Sequence, residues 1–144
     1  MKMINEIQDD IIEEFSNYDD WIDKYNYLIE LSKDLPAIDQ KFKSKEYLIQ
    51  GCQSRVWLNG ELSEGKIIFT ADSDAIITKG IVALLIRVLS NHTPEEILNT
   101  ELYFIDKIGL KENLSPTRAN GVVSMLKQMK LYALAYKTKM EKNI

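Results

Sequence analysis

Residues 55–72 read "RVWLNGELSEGKIIFTAD". Two β-prone runs, 55–62 and 66–72, flank Ser63–Glu64–Gly65. Val, Trp, Leu, Ile and Phe suit a pleated, half-buried surface, and a short polar link with glycine is a hairpin signal. Immediately upstream, "YLIQ" (47–50) reads as a further short strand leading into a turn. The expected core of the fold is therefore a small three-stranded antiparallel sheet.

Outward from this sheet the periodicity changes to that of helices. Ala75 to Leu89, "AIITKGIVALLIRVL", is apolar on most faces and predicts a central buried helix. It is too short to cross a bilayer and carries Lys79 and Arg87. "NHTPEEI" is a helix start, with Thr93 as N-cap, Pro94 at the first position and Glu96 closing a capping box. Residues 101–108 continue as a short helix ended by Gly109. Ser115 and Pro116 open a last helix whose buried face carries Val122, Met125, Met129, Tyr132 and Tyr136. On the N-terminal side, Ile4, Ile7, Ile11 and Phe15 mark one amphipathic helix. Trp21, Tyr25, Leu28 and Leu35 mark a second, capped by Asp19 or Asp20 and stopped by Pro36. Residues 37–46 are polar and aperiodic, as in a surface loop. The class is α+β, with helices packed on one sheet.

The 144 residues fit a single domain, 1–144, and 45% hydrophobic residues supply a core without disulfides or a structural metal. A net charge of −4 argues against a nucleic-acid partner. The N-terminus lacks the pattern of a signal peptide and no segment reads as a membrane span. The expectation is a soluble, cytoplasmic protein that is a monomer on its own.

Chemistry-bearing residues are few. One cysteine, Cys52, and one histidine, His92, cannot assemble a zinc or iron–sulfur site. No phosphate-binding glycine loop is present. A Cys–His nucleophile pair would require those two residues to meet, and nothing in their spacing favours it. Asp72 and Asp74 in "ADSDA" could bind a metal, but capping of the helix that follows is the stronger reading. Cys52 sits in "IQGCQSRVW" (49–57), between Gly51 and the polar run Gln53–Ser54–Arg55. Two readings stay open on local context: a small buried hydrophobe, or a thiol presented at a turn. Arg55, and Arg118 if it lies close in space, would raise the thiolate fraction. A lone thiol suffices for sulfur exchange, which needs neither an oxyanion hole nor a built-in base, but not for amide or ester hydrolysis. The lack of other machinery points to a sulfur carrier or acceptor.

"LIQGCQSRVWL", "ADSDAIITKGIVALLI", "HTPEEIL" and "LSPTRANGVVSMLKQMK" occur in this order, with "WIDKYNYLIELSKDLP" before them. Together they resemble the SufE family of sulfur-acceptor proteins, from about Asp19 to Lys137. The resemblance implies the α+β fold shared with the NifU/IscU scaffold proteins. It implies acceptance of sulfane sulfur, as a persulfide on Cys52, from a PLP-dependent cysteine desulfurase of the SufS or CsdA kind. It also implies stimulation of that desulfurase and delivery to a SufBCD-type scaffold. Two alternatives remain: a regulator that binds the desulfurase without carrying sulfur, and a CsdE-like acceptor serving another sulfur pathway. The matching positions around the thiol are Gln50, Gly51, Gln53 and Ser54. Asp74 and Arg118 match residues that hold or tune the loop. No cofactor or metal of the chain's own is implied, and one cysteine is too few for a cluster scaffold. Arg55, where the family often has another polar residue, and the short 59–65 hairpin are the departures. By the same resemblance Cys52 should rest poorly exposed among apolar side chains, in a loop that moves when a partner binds.

Overall fold

The computed structural model describes residues 3–52 and 54–142. Helix α1 (Ile4–Ser16) buries Ile4, Gln8, Ile11 and Phe15, a stripe at helical spacing. Helix α2 (Trp21–Ser32) is capped by Asp20, whose carboxylate accepts the Asp23 N–H at 2.9 Å. It ends at Ser32, so Leu35 lies beyond it. Strands β1 (Val56–Ser63) and β2 (Lys66–Ser73) form the hairpin. They are followed by α3 (Ile76–Leu89), α4 (Pro94–Asn99), α5 (Phe104–Lys107) and α6 (Pro116–Lys142). Thr93 and Glu96 complete the expected capping box, with bonds of 3.1 and 2.9 Å. Gly109 follows α5 with φ +73°, and the Ser115 hydroxyl accepts the Arg118 N–H at 3.3 Å. Among the described residues no helix is long and apolar enough to cross a membrane.

The core gathers around α3, which buries ten of its residues against the sheet and the other helices. Gly80 sets how closely α2 can approach: a Cβ there would meet the Leu28 carbonyl oxygen at 2.2 Å. Gln8 is a polar residue that periodicity did not foresee in the core. Its amide donates to the Glu101 carbonyl at 3.1 Å and its side-chain oxygen accepts the Phe104 N–H at 3.2 Å. It thereby ties α1 to the start of α5, and full burial costs it nothing in unmet hydrogen bonds.

The sheet has two strands, not three. Register runs from Val56↔Ser73 to Ser63↔Lys66, leaving Glu64 and Gly65 as a two-residue turn with φ of 51° and 80°. The "YLIQ" segment does not continue the ladder. Lys45–Tyr47 is a 3₁₀ turn, and only Leu48 bridges to Trp57. A second 3₁₀ turn, Gln40–Phe42, lies in the stretch expected to be irregular. The physical reason is visible along the outer edge of β1. The Val56 carbonyl accepts the Ile49 N–H at 2.8 Å. The next two outward carbonyls, of Leu58 and Gly60, accept the hydroxyls of Tyr132 and Tyr136 on α6, at 3.1 and 2.6 Å. Side chains thus fill the place of a third strand.

The outer edge of β2 is covered as well. Ala71 exchanges backbone bonds with Pro36 and Ile38. Phe69 N–H donates to the Ser90 hydroxyl at 2.9 Å, and Ile67 pairs with Asn91 and His92. A two-stranded ribbon with both edges engaged offers little template for edge-to-edge association. Replacing Tyr132 and Tyr136 together by phenylalanine strips two half-buried carbonyls of their donors. It should cost about 1 kcal/mol per bond in denaturant unfolding while leaving the helical circular dichroism intact.

Candidate functional site

Three element ends converge near Cys52: the start of β1, the entry to α3 and the first turns of α6. The loop that carries the thiol is pinched at its base. On one side stands the Ile49–Val56 bond. On the other, Arg55 N–H donates to the Asp74 carboxylate at 3.0 Å while Asp74 N–H donates to the Arg55 carbonyl at 3.3 Å. Between these anchors Gly51 adopts φ +89°, and a Cβ there would also lie 2.6 Å from the Ser124 hydroxyl. Only glycine combines that backbone angle with that proximity to α6.

The chain turns so that the Cys52 side chain points back at α6. Its Sγ lies 3.6 Å from the Gly121 carbonyl oxygen, within reach of an S–H donor. The thiol is half-buried, in a cleft lined by Ser54, Thr78, Ile81, Arg118, Gly121 and Met125 among others. The cleft has a volume of only about 10 Å³, room for about one water-sized atom. Partial exclusion of water pushes the thiol pKa up, because the thiolate would lose solvation. Of the two influences that the sequence left open, a nearby arginine and burial, burial is the one that acts on the sulfur. Both arginines are exposed, and desolvation governs the sulfur.

Because the folded-state pKa is raised, the protonated thiol contributes stability that is complete below the unfolded value and is lost as pH rises through the folded one. Alkylation of Cys52 by iodoacetamide should therefore show a pH midpoint above that of the same thiol in urea. A midpoint at or below the unfolded value would mean that a cation, not burial, controls the sulfur.

The other candidate residues separate into distinct roles. Asp74 meets the loop through the backbone of Arg55. Ser54 and Arg118 line the cleft, Gln50 is exposed beside Gly51, and Gln53 lies outside the described residues. The helix-capping reading of Asp72 and Asp74 does not hold. The N-cap of α3 is Ala75, with no side-chain cap, and its N–H donates to the Ser73 hydroxyl. Asp72 is instead an ion-pair centre, 2.7 Å from Lys43 Nζ and 3.1 Å from Lys79 Nζ, with Lys43 also over the Trp57 ring. Burial works to raise its carboxyl pKa, but those lysines and the Ser73 N–H outweigh burial and hold it low. Among the described residues no group of three or more His, Cys, Asp or Glu is placed to hold a metal.

His92 is buried at the opposite end of the hairpin, bonded through its carbonyl to Ile67. Six residues of strand separate Ile67 from Ser73, about 20 Å. A Cys52–His92 catalytic pair is thereby removed. Sequence reasoning did not find Thr78, Ile81, Gly121 and Met125 as neighbours of the thiol, nor Ser124 as the neighbour of Gly51. Most read as ordinary helix-face residues, and only a glycine inside a helix was a signal that something approaches closely.

A model of the SufE family, described as an Fe-S metabolism associated domain, matches residues 9–133. A SufE-like protein of Rhizobium meliloti is 39% identical over 127 residues, covering 85% of this chain and 91% of its own length. A SufE-like protein of Synechocystis is 37% identical over 126 residues, 88% of this chain and 79% of that protein. The chloroplastic/mitochondrial SufE-like protein 1 of Arabidopsis thaliana is 39% identical over 121 residues, which are 83% of this chain but 33% of the plant protein. Among solved structures, the solution structure of a hypothetical protein from Thermus thermophilus superposes with a TM-score of 0.76 at 19% identity. It covers 92% of this chain and 96% of that one, a likeness of fold.

Proposed function

This chain belongs to the SufE family, and from that membership we propose that Cys52 accepts sulfane sulfur from a PLP-dependent cysteine desulfurase of the SufS or CsdA kind. The sulfur is carried as a persulfide and passed to a SufBCD-type iron–sulfur scaffold. Removing it also frees the desulfurase for another turnover. The cysteine thiolate attacks the terminal sulfur of the donor persulfide. The new Sγ–S bond forms as the donor S–S bond breaks, and the electron pair leaves on the donor thiolate. The proton lost by Cys52 is matched by one gained at the donor sulfur, so no oxidant or reductant is required.

The observation that carries this reading is a lone, half-buried thiol on a loop anchored at both sides, with no metal-binding cluster among the described residues. Such a sulfur is equipped for exchange and for little else. A protonated resting thiol also suits a carrier, because stray electrophiles meet the less reactive form. The reading requires the segment that carries the thiol, bounded by the Asp74–Arg55 bonds, to swing outward when a partner binds. The test is intact mass after incubation with a cysteine desulfurase and L-cysteine without reductant. A gain of sulfur, reversed by reductant, is expected. Measurable binding to the desulfurase with no gain would leave a regulator that carries no sulfur.

A further inference from the structure

Tyr132 and Tyr136 do more at the outer edge of β1 than satisfy two carbonyls. Burial pushes both phenols up and keeps them protonated, while the N–H groups of Gly60 and Leu62 meet the same two oxygens and work the other way. Tyr132 thus donates to the Leu58 carbonyl and accepts from Gly60. Tyr136 donates to the Gly60 carbonyl and accepts from Leu62. Each hydroxyl makes the pair of bonds that one residue of a parallel strand would make. The spacing allows it, since four residues of helix rise about 6 Å and two residues of strand about 6.6 Å. The same contact accounts for a glycine in the middle of a strand. A Cβ at position 60 would stand 3.2 Å from the Tyr132 ring and 2.9 Å from Phe69, which packs edge-on against that ring.

These bonds fix how α6 lies along β1. Following both segments in the same direction, Gly121 meets Cys52, Tyr132 meets Leu58 and Tyr136 meets Gly60. About two residues of helix pass for each residue of strand, as their rises require. The contact at the thiol is therefore the upstream end of one seam. That end is weakly held, by a 3.6 Å bond from Sγ to the Gly121 carbonyl and by the approach of Gly51 to Ser124. The downstream end carries the two hydroxyls. Between them α6 has no proline after its first position, so it transmits a displacement from one end to the other. Within the acceptor role proposed above, we infer that Tyr132 and Tyr136 are positioning residues for Cys52, whose clasp on β1 holds the first turns of α6 against the sulfur and so sets its reactivity. When the clasp is lost, α6 rides away from β1, the Gly121 carbonyl leaves Sγ and water reaches the thiol.

The test compares the native chain with the double variant Tyr132→Phe, Tyr136→Phe, which keeps both rings and removes only the hydroxyls. Tyr27→Phe serves as the control. It also loses one tyrosine hydroxyl bond, but to Glu14, which pairs with Arg87 in the last turn of α3, away from the thiol. The readouts are the iodoacetamide rate of Cys52 at a fixed neutral pH, the pH midpoint of that reaction, and the thermal midpoint. Charged groups around the sulfur are Arg118 on α6 and Arg55 and Asp74 at the base of the loop, while α3 faces it with Thr78 and Ile81. None of these is altered by the substitutions. In the double variant alkylation should be about fivefold faster or more, the shift in opening that one net hydrogen bond controls. Its pH midpoint should fall toward that of the thiol in urea, because the sulfur regains solvation. Tyr27→Phe should lower the thermal midpoint and leave both thiol readouts at their native values.

An unchanged alkylation rate and pH midpoint in the double variant would overturn the inference. So would an equal acceleration in Tyr27→Phe, since the thiol would then report overall stability rather than the seam. Alkylation involves no sulfur donor, so the outcome is separate from the proposed function. Sulfur uptake by the native chain together with an unchanged alkylation rate in the double variant sinks the clasp alone. Faster alkylation in the double variant without uptake by the native chain sinks the acceptor role alone.

Discussion

Cys52→Ser should gain no sulfur at all in the presence of a cysteine desulfurase and L-cysteine, while its thermal midpoint stays that of the native chain. The two halves of this result have separate causes. A serine hydroxyl is far too basic to be ionised near neutral pH and does not attack sulfane sulfur, so uptake falls to background rather than by a modest factor. The fold is indifferent because the site asks little of the sulfur. Cys52 is half-buried and donates one long bond to the Gly121 carbonyl. A serine O–H can make a comparable bond, and the volume lost is small, so stability should change by less than about 1 kcal/mol. Intact mass and differential scanning calorimetry read the two halves. Residual sulfur on Cys52→Ser would place the acceptor elsewhere in a chain that has no other cysteine. Undiminished stimulation of the desulfurase by the variant would favour the regulator.

The largest stability effect should come from a residue far less conspicuous. Gly80→Ala substitutes a better helix former into the middle of α3, worth up to about 1 kcal/mol in its favour. Packing decides against it. The new Cβ would stand 2.2 Å from the Leu28 carbonyl oxygen and 2.8 Å from its carbon, both backbone atoms of α2. No rotamer change relieves that approach, so α2 has to move away from α3. Overpacking of this kind costs about 3 kcal/mol. The net loss is then about 2 kcal/mol, a fall in thermal midpoint of roughly 4–8 °C for a chain of this size. A midpoint equal to or above the native one would show that the two helices separate at little cost. Gly121→Ala makes the comparison informative, because its Cβ meets Cys52 only at 3.5 Å. Two glycine-to-alanine changes inside helices should thus have different signs on stability.

The limits of the sequence reading show in the same residues. Period-3.6 stripes located the helices, because burial of one face repeats along the chain and needs no partner to be recognised. Capping chemistry located their starts at Asp19 or Asp20, of which Asp20 is the cap, and at Thr93 and Ser115, because those bonds join residues three apart. The hairpin was legible through the polar, glycine-bearing link at 63–65, which pairing of Ser63 with Lys66 shortens to a two-residue turn. The thiol and its neighbours from Gly51 to Ser54 were picked out by composition and by resemblance. Arg118 and Asp74 were also placed at the loop, and both lie there.

What the sequence by itself determined is local: which segments are helical, where they begin, which pair of runs folds into a ribbon, and that one sulfur has no catalytic company in composition. Tertiary structure decided everything that depends on which distant surfaces meet. A β-prone "YLIQ" became a turn because tyrosines 132 and 136, far along the chain on α6, took the carbonyls that a third strand would have paired. Two aspartates that locally read as caps were drawn off, Asp72 to lysines 43 and 79 and Asp74 to the cysteine loop. The pKa of the sulfur, which the sequence could not give, is raised by desolvation between the walls of α3 and α6. Hydrogen bonds and periodicity are short-ranged and leave a pattern in the chain. Desolvation and close approach are set by whatever packs opposite, and a single sequence carries no mark of that beyond an occasional glycine.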